Sequence, residues 1–338
     1  MKIALDAMGG DNAPDVVIRG SKDALARQTN IEKLFLVGDE KIIKAECEKH
    51  GLNDRRVQIV HATEVIAMHE SALKALRSKK NSSVSVATDL VKSGEADAVI
   101  SAGNTGAAVA AATLKLRLLK GVERAGIASP LPNEFGICNI LDAGANPEAK
   151  PSHLIGYAVM GSVYAKHVLR VASPSVGLMS NGEEDEKGTS FTKETFCLLK
   201  EFADSGKAPF EFLGNVEGHD LFQSKLDVCL CDGFTGNIVL KSCEATARAM
   251  ATWLKIEFKR SPLRLMGAAL GQGAFKAVKD RTNYESYGGS PLLGVNGVCI
   301  IAHGSSSALA INNAIRVASE AIEHRVNPHI EEALAALA

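Results

Sequence analysis

Residues 226–242 read LDVCLCDGFTGNIVLKS, and this stretch decides the fold. Leu226 to Cys231 is short and apolar enough to be a buried strand. It breaks at Asp232-Gly233-Phe234-Thr235-Gly236, and a long helical pattern begins near Asn237. A strand that ends in a glycine turn and opens a helix aims backbone N–H groups at whatever sits above the sheet edge. One such turn says little, because many α/β proteins use them for packing. The same grammar recurs several times in this chain, and the recurrence predicts a site.

Outward from this stretch, strands are predicted over 2–7, 34–37, 57–60, 96–101, about 125–130, 137–142, 176–179, 210–213 and 298–302. Helical patterns lie between them, the first opened by Pro14 and the last running to about residue 325. The alternation predicts an α/β fold: a doubly wound, largely parallel sheet with helices on both faces. No linker or repeat interrupts it, so residues 1–338 are expected to form a single domain with subdomains. The polar segment 61–83 reads as a solvated helix rather than a crossing of the sheet's mouth. Residues 261–280, SPLRLMGAALGQGAFKAVKD, hold Pro262 and Gly267, Gly271 and Gly273, poor material for one rigid helix. A broken helical hairpin is expected there, with 255–288 as a protruding tip.

Composition narrows the function. A hydrophobic content of 46% and a charged content of 23% are those of a soluble globular protein. The 38 basic and 39 acidic residues nearly cancel, so no global charge argues for nucleic acid. Seven cysteines without framework spacing fit a reducing cytosol. Cys229 and Cys231 sit inside the strand pattern and read as packing rather than as metal ligands. MKIALDAMGG runs straight into a strand, which predicts no signal peptide. No apolar window reaches about 18 residues, which argues against a spanning helix but leaves surface attachment open.

The recurring turns are 8–11, 103–106, 181–189, 232–237 and 303–307. They offer small residues, hydroxyls and amides, a composition suited to binding an oxyanion such as phosphate at helix starts. Gly9, Gly10 and Gly304 serve either close approach to a ligand or turn geometry. Asp6 and Asp142 stand at strand ends, as caps or orienters rather than proton carriers. Lys187 follows the acidic run 183–186 and reads equally as a surface ion-paired lysine or as a cation that neutralises phosphate. His303 reads as an edge residue hydrogen-bonded to backbone.

MKIALDAMGGDNAPDVVIRG, VISAGNTGA, LDAGANPEAKP, NGEEDEKGT, CDGFTGNIVLK and GVNGVCIIAHGSSSALAINNAI, in that order, resemble the bacterial PlsX-type phosphate acyltransferases over essentially the whole chain. The resemblance implies a fold related to phosphotransacetylases and isocitrate-type dehydrogenases, and a homodimer. It implies transfer of an acyl group from acyl carrier protein to inorganic phosphate, giving acyl phosphate for phospholipid synthesis. Asn12 and Gly218-His219 depart from the family's commoner residues. Lys187 and Asn237 match family motifs as the catalytic pair. Asp6, Gly9, Gly10, Asn104, Thr105, Asp142, Asp232, His303, Gly304, Ser305 and Ser306 are then expected around phosphate or substrate. No metal or cofactor is implied. Acyl carrier protein is acidic, so a local basic surface is expected, with Lys255, Lys259, Arg260, Arg264, Lys276, Lys279 and Arg281 as candidates. Leu263, Leu265, Met266, Leu270 and Phe275 between such charges read either as core or dimer packing or as a tip that dips into an anionic membrane surface. The second reading suits a cytoplasmic, peripherally membrane-associated enzyme handing its product to a downstream membrane acyltransferase. The rival readings are a phosphotransacetylase-type enzyme using acyl-CoA, a decarboxylating dehydrogenase on a similar fold, and a non-enzymatic membrane-surface scaffold.

Overall fold

The computed structural model describes residues 1–337. In chain order its strands are β1 (Lys2–Asp6), β2 (Lys33–Gly38), β3 (Val57–His61), β4 (Ala98–Ser101), β5 (Gly126–Ile127) and β6 (Ser129–Pro132). There follow β7 (Ile137–Leu141), β8 (Ser175–Met179), β9 (Glu211–Val216), β10 (Val228–Leu230), β11 (Ser290–Leu293) and β12 (Val298–Ile301). The fold is α/β and mostly parallel, as the sequence predicts. The strands are divided between two sheets rather than gathered in one. A seven-stranded sheet has the order β3-β2-β1-β4-β12-β11-β5, and a five-stranded sheet the order β6-β7-β10-β8-β9.

The division turns on residues 125–132. What reads as one strand is two: β5 pairs antiparallel with β11 in the first sheet, and β6 antiparallel with β7 in the second. Ala128 between them is fully buried. Pro130 and Pro132 put β6 on a sheet edge, where a missing N–H costs least. β11 has no counterpart in the predicted pattern. Its Ser290 and Pro291 pair with β12, while Leu292 and Leu293 pair with β5, so the proline lies at the end of one ladder. One buried apolar cluster joins the two sheets, with Ala4 and Val99 from the first and Ile140 and Cys229 from the second. Cys229 and Cys231 are both buried, and burial drives their thiol pKa values well above the ordinary range.

Strand register brings the turns together. Leu230 of β10 is level with Leu141 of β7 and Leu178 of β8, so the turns after these three strands share one edge. In the first sheet β4 runs level with β1 on one side and β12 on the other, which aligns the turns after residues 6, 101 and 301.

The helix after β10 begins at Gly233, four residues before the sequence pattern suggests, and runs unbroken to Lys259. Asp232 caps it, accepting from the Phe234 and Thr235 N–H groups at 3.0 and 2.9 Å and from the Thr235 hydroxyl at 2.7 Å. Its two glycines are needed because the turn after β7 lies against the helix start. A Cβ on Gly236 would stand 2.0 Å from the Asp142 carbonyl oxygen, and one on Gly233 2.7 Å from Asp142 Oδ2. Beyond Gly236 this helix holds no buried residue, and neither do the helices Pro262–Leu270 and Gln272–Thr282. The hairpin is thus broken at Ser261 and Gly271, the second break falling at a glycine singled out in the sequence.

Gly236→Ala should therefore destabilise the fold by about 1–3 kcal/mol or more, since backbone must move to admit the methyl group. Gly156→Ala, in the helix Pro151–His167 where an added Cβ meets nothing within 4 Å, should instead stabilise by about 0.5–1 kcal/mol. Urea unfolding midpoints of the two variants, moving in opposite directions from the parent, check both.

Candidate active site

On the first sheet, Asp6 is buried at the end of β1 and organises the turn above it. Its carboxylate accepts from the Ser101 hydroxyl at 2.7 Å and the Met8 N–H at 3.3 Å. Burial raises its pKa, and hydrogen bonds from Ser83, Ser101, Met8 and Gly9 work against that shift. A Cβ on Gly9 would be 2.6 Å from Asp6 Oδ2 and 2.8 Å from the Gly103 nitrogen. Gly10, at φ +109°, lies beside the Gly304 and Ala102 carbonyls, and the Asp11 N–H donates to Gly304 O at 2.8 Å. These contacts lock three turns together through backbone that no side chain could replace.

Asn104 caps the helix Thr105–Lys115 by accepting from Ala107 N–H at 3.0 Å. Its amide nitrogen donates to the carbonyls of Ala67, Met68 and Glu70 at 3.0–3.3 Å. Between His61 and the helix that starts at Ser83, the segment is helical only over Ala72–Ser78, and its 67–70 part lies over the sheet edge, with Met68 against Gly304. Sequence polarity did not separate that crossing from a solvated helix, because its anchors are backbone carbonyls.

On the second sheet, Asp142 plays the part of Asp6. Fully buried, it accepts backbone N–H groups of Ile127, Gly144, Ala145 and Asn146 at 2.6–3.0 Å. Burial raises its pKa against those four donors. Asn237 stands one helical turn into the next element, its side chain beside Gly144. It is half-buried and makes no side-chain hydrogen bond among the described residues.

Between the sheets lies a cleft of about 120 Å³. Thr105, His303 and Ser306 line it from the first sheet's turns, and Asn237 and Lys241 from the helix Gly233–Lys259. Two helix N-termini border it, those of Thr105–Lys115 and Ala308–Glu323, and their positive dipole ends favour an anion. The helix Gly233–Lys259 presents residues 237–244, its own first N–H groups being taken by Asp232 and Asn146. Lys241 lies four residues after Asn237, hence on the same helix face. It forms no ion pair among the described residues. Glu244, one turn on, also lines the cleft and pairs with Arg248 at 3.6 Å.

A profile of the family described as fatty acid synthesis protein matches residues 1–329. A phosphate acyltransferase of Akkermansia muciniphila is 62% identical over 337 residues, covering 100% of this chain and 97% of that protein. Another, of Pelotomaculum thermopropionicum, is 48% identical over 334 residues, covering 99% and 95%. This chain belongs to the phosphate acyltransferase family. It is an acyltransferase, and the resemblance of its motifs holds over the full chain. The fold is shared with the EutD phosphotransacetylase from Staphylococcus aureus, at a TM-score of 0.59, 17% identity and coverage of 99% and 94%.

Of the residues this acyltransferase offers as candidates, the cleft gathers Thr105, Asn237, His303 and Ser306. Asp6, Asn104, Asp142 and Asp232 stand behind the turns and hold them. Gly9, Gly10 and Gly304 are where the turns touch one another. Ser305 is exposed, and its hydroxyl and N–H both meet His303 Nδ1, at 2.8 and 3.2 Å. Lys187 is on the turn after β8, next to β10, but is not part of the cleft wall; its ammonium is 3.8 Å from Glu184 and its side chain is 48% exposed. Ser129, Ser290 and Lys241 line the cleft and were not singled out from the sequence, although the i, i+4 spacing from Asn237 points to Lys241. Glu183, His219 and Asp220 bring ligand atoms within 4.8 Å of one another beyond β8 and β9. Asp220 there already accepts from Glu217 N–H and the Ser224 hydroxyl.

At the hairpin, Arg260 and Arg264 both pair with Glu257, at 2.8 and 2.7 Å. Lys255, Lys259, Lys276 and Lys279 have no ion pair among the described residues, and Arg281 donates to the Asn133 carbonyl. Leu263, Leu265, Met266 and Leu270 are exposed, Leu270 at 91%, while Phe275 packs edge-on against Phe258 at 5.0 Å.

Asn104→Ala removes a helix cap and three anchors of the 67–70 crossing. A loss of about 1–2 kcal/mol is expected, together with faster limited proteolysis within residues 62–71, read by mass spectrometry of the first cleavage products.

Proposed function

We propose that the protein transfers a fatty acyl group from acyl-acyl carrier protein to inorganic phosphate, forming acyl phosphate for phospholipid synthesis. The observation that carries this reading is the placement, on one helix face, of the Asn237 amide and the Lys241 ammonium, both without a side-chain partner among the described residues and facing two helix N-termini. Phosphate is already ionised near neutral pH and needs no strong base. One of its oxygens attacks the thioester carbonyl carbon, an oxyanion develops, and collapse breaks the C–S bond. The proton carried by the phosphate leaves with the thiol. Lys241 offsets phosphate charge; Lys187, on the turn after β8 and outside the cleft wall, is the second cation once its side chain turns from Glu184 toward the phosphate. Asn237 donates to phosphate or to the developing oxyanion. The family membership supports the reaction class, and that its relatives are phosphate acyltransferases supports phosphate as acceptor.

We assign the carrier protein's docking to the unpaired lysines of the hairpin, Lys255, Lys259, Lys276 and Lys279, rather than to Arg260 and Arg264, which Glu257 already engages. Met250, Trp253 and Leu254 are exposed at i, i+3 and i+4 of the long helix, a stripe that a second copy of the chain would cover in a homodimer. The apolar tip at Leu263, Met266 and Leu270 is assigned to the headgroup region of an anionic membrane. This makes the enzyme cytoplasmic and peripherally attached, near the membrane acyltransferase that consumes its product.

Purified protein given acyl-acyl carrier protein and phosphate should release the carrier thiol and yield an acyl phosphate that hydroxylamine traps. Asn237→Ala should lower kcat by about 10²–10³, and Lys241→Gln should raise the phosphate KM about tenfold with a smaller change in kcat. Turnover of acyl-CoA but not of the carrier-bound thioester would overturn the donor assignment.

Serine at Leu263, Met266 and Leu270 together should abolish co-sedimentation with anionic liposomes while leaving soluble turnover and dimer mass intact. Unchanged liposome binding, or dissociation of the dimer, would return these side chains to a structural role.

A further inference from the structure

The helix Val326–Ala335 lies across the junction of the two sheets. On one side it packs on the helix Pro151–His167, which covers β7, β8 and β10 of the second sheet, and its Val326 and Ile330 are buried there. Its other contacts reach the first sheet. Asn327 Nδ2 donates to the carbonyl of Val295, just after β11, at 3.0 Å, and Glu331 accepts from the Lys120 N–H at 3.2 Å. Leu334 lies against Gly121, in the connection that leads from Lys115 to β5. The cleft draws its residues from both sheets, so a helix that ties one sheet to the other bears on how those residues meet.

One contact in this strap carries a charge that pH can change. The His167 and His329 rings are stacked face to face, with centroids 3.8 Å apart and planes 12° from parallel. Both residues are half-buried. Glu332 Oε2 is 3.1 Å from His329 Nδ1 and can hold a first proton on that ring. A second proton would put two cations in face contact, and like charges that close disfavour each other. Burial holds the pKa of His167 below its ordinary value of 6.5; His329, Lys166 and His324 act in the same direction, and Glu332 acts against it. A histidine depressed in this way contributes stability that is present above pH 6.5 and is lost as pH falls through its value in the folded chain.

We propose that the His167–His329 stack is an acid-sensitive latch: with one proton or none it holds the helix Val326–Ala335 across the sheet junction, and with two it loosens that helix and slows acyl transfer. The two rings titrate as a unit, in two steps rather than as independent histidines. Nothing in this device depends on which acyl donor the cleft accepts.

Histidine-selective NMR titration of the full chain tests this, together with hydrogen exchange and turnover measured at about pH 7.5 and about pH 5. His167 and His329 should titrate in two steps separated by at least about one pH unit. Corrected for intrinsic rates, exchange within residues 326–335 should rise at least about tenfold on acidification, while the helix Ser83–Lys92 keeps its protection. His329→Phe leaves a ring on His167 but takes no proton. Its exchange should not respond to the same change of pH, and its acid loss of turnover should be about threefold smaller than the parent's. Independent titration of the two rings, acid-induced exchange that persists in His329→Phe, or an equal acid loss of turnover in both proteins would each overturn the latch.

Discussion

The contact between Gly236 and the carbonyl of Asp142 is the constraint on which the site depends. With a Cβ-to-oxygen distance of only 2.0 Å available, no other residue fits without moving backbone. That approach seats the start of the long helix in the turn after β7, and Asp142 makes the turn rigid by accepting four backbone N–H groups. Asn237 follows one residue after Gly236, so its position beside Gly144 is set by backbone contact rather than by side-chain packing. The mirror arrangement on the first sheet rests on Gly9, Gly10 and Gly103 around Asp6.

The carboxylates in these turns serve the anion site by facing away from it. A carboxylate beside bound phosphate would repel it, and one exposed to the cleft would draw in the lysines. Asp6 and Asp142 are instead buried beneath their turns, and Asp232 is occupied by its own helix start. What remains on the cleft side is neutral or cationic: hydroxyls of Thr105 and Ser306, the Asn237 amide, helix N-termini and Lys241. Glu244 is the exception, and it carries Arg248 as a partner.

Much of this was legible in the sequence because strand, glycine turn and helix each leave a local signature. The α/β class, the strand ends, the orienting rather than capping role of Asp6 and Asp142 in their turns and the broken hairpin all follow from such signatures. The division into two sheets did not, since it depends on Ala128 passing between sheets in the middle of an apolar run that looks like one strand. β11 was hidden because Pro291 argues against a strand until its two halves are seen to pair with different neighbours. Lys241 was missed for a different reason. Its face of the helix becomes meaningful only once the helix is known to begin at Gly233 and to lean over the cleft.

The helix from Gly233 to Lys259 is 27 residues long, a span of roughly 40 Å. Its second and third turns carry the cleft residues, and its far end leads into the exposed hairpin. Because it is unbroken between them, the two ends are related by rotation as much as by distance. Each residue turns the helix by about 100°. An insertion or deletion of a single residue would lengthen the arm hardly at all, yet would point the hairpin's apolar side chains in a new direction relative to Asn237 and Lys241. The arm is therefore held to a phase: changes of three or four residues approximately restore it, and changes of one or two do not.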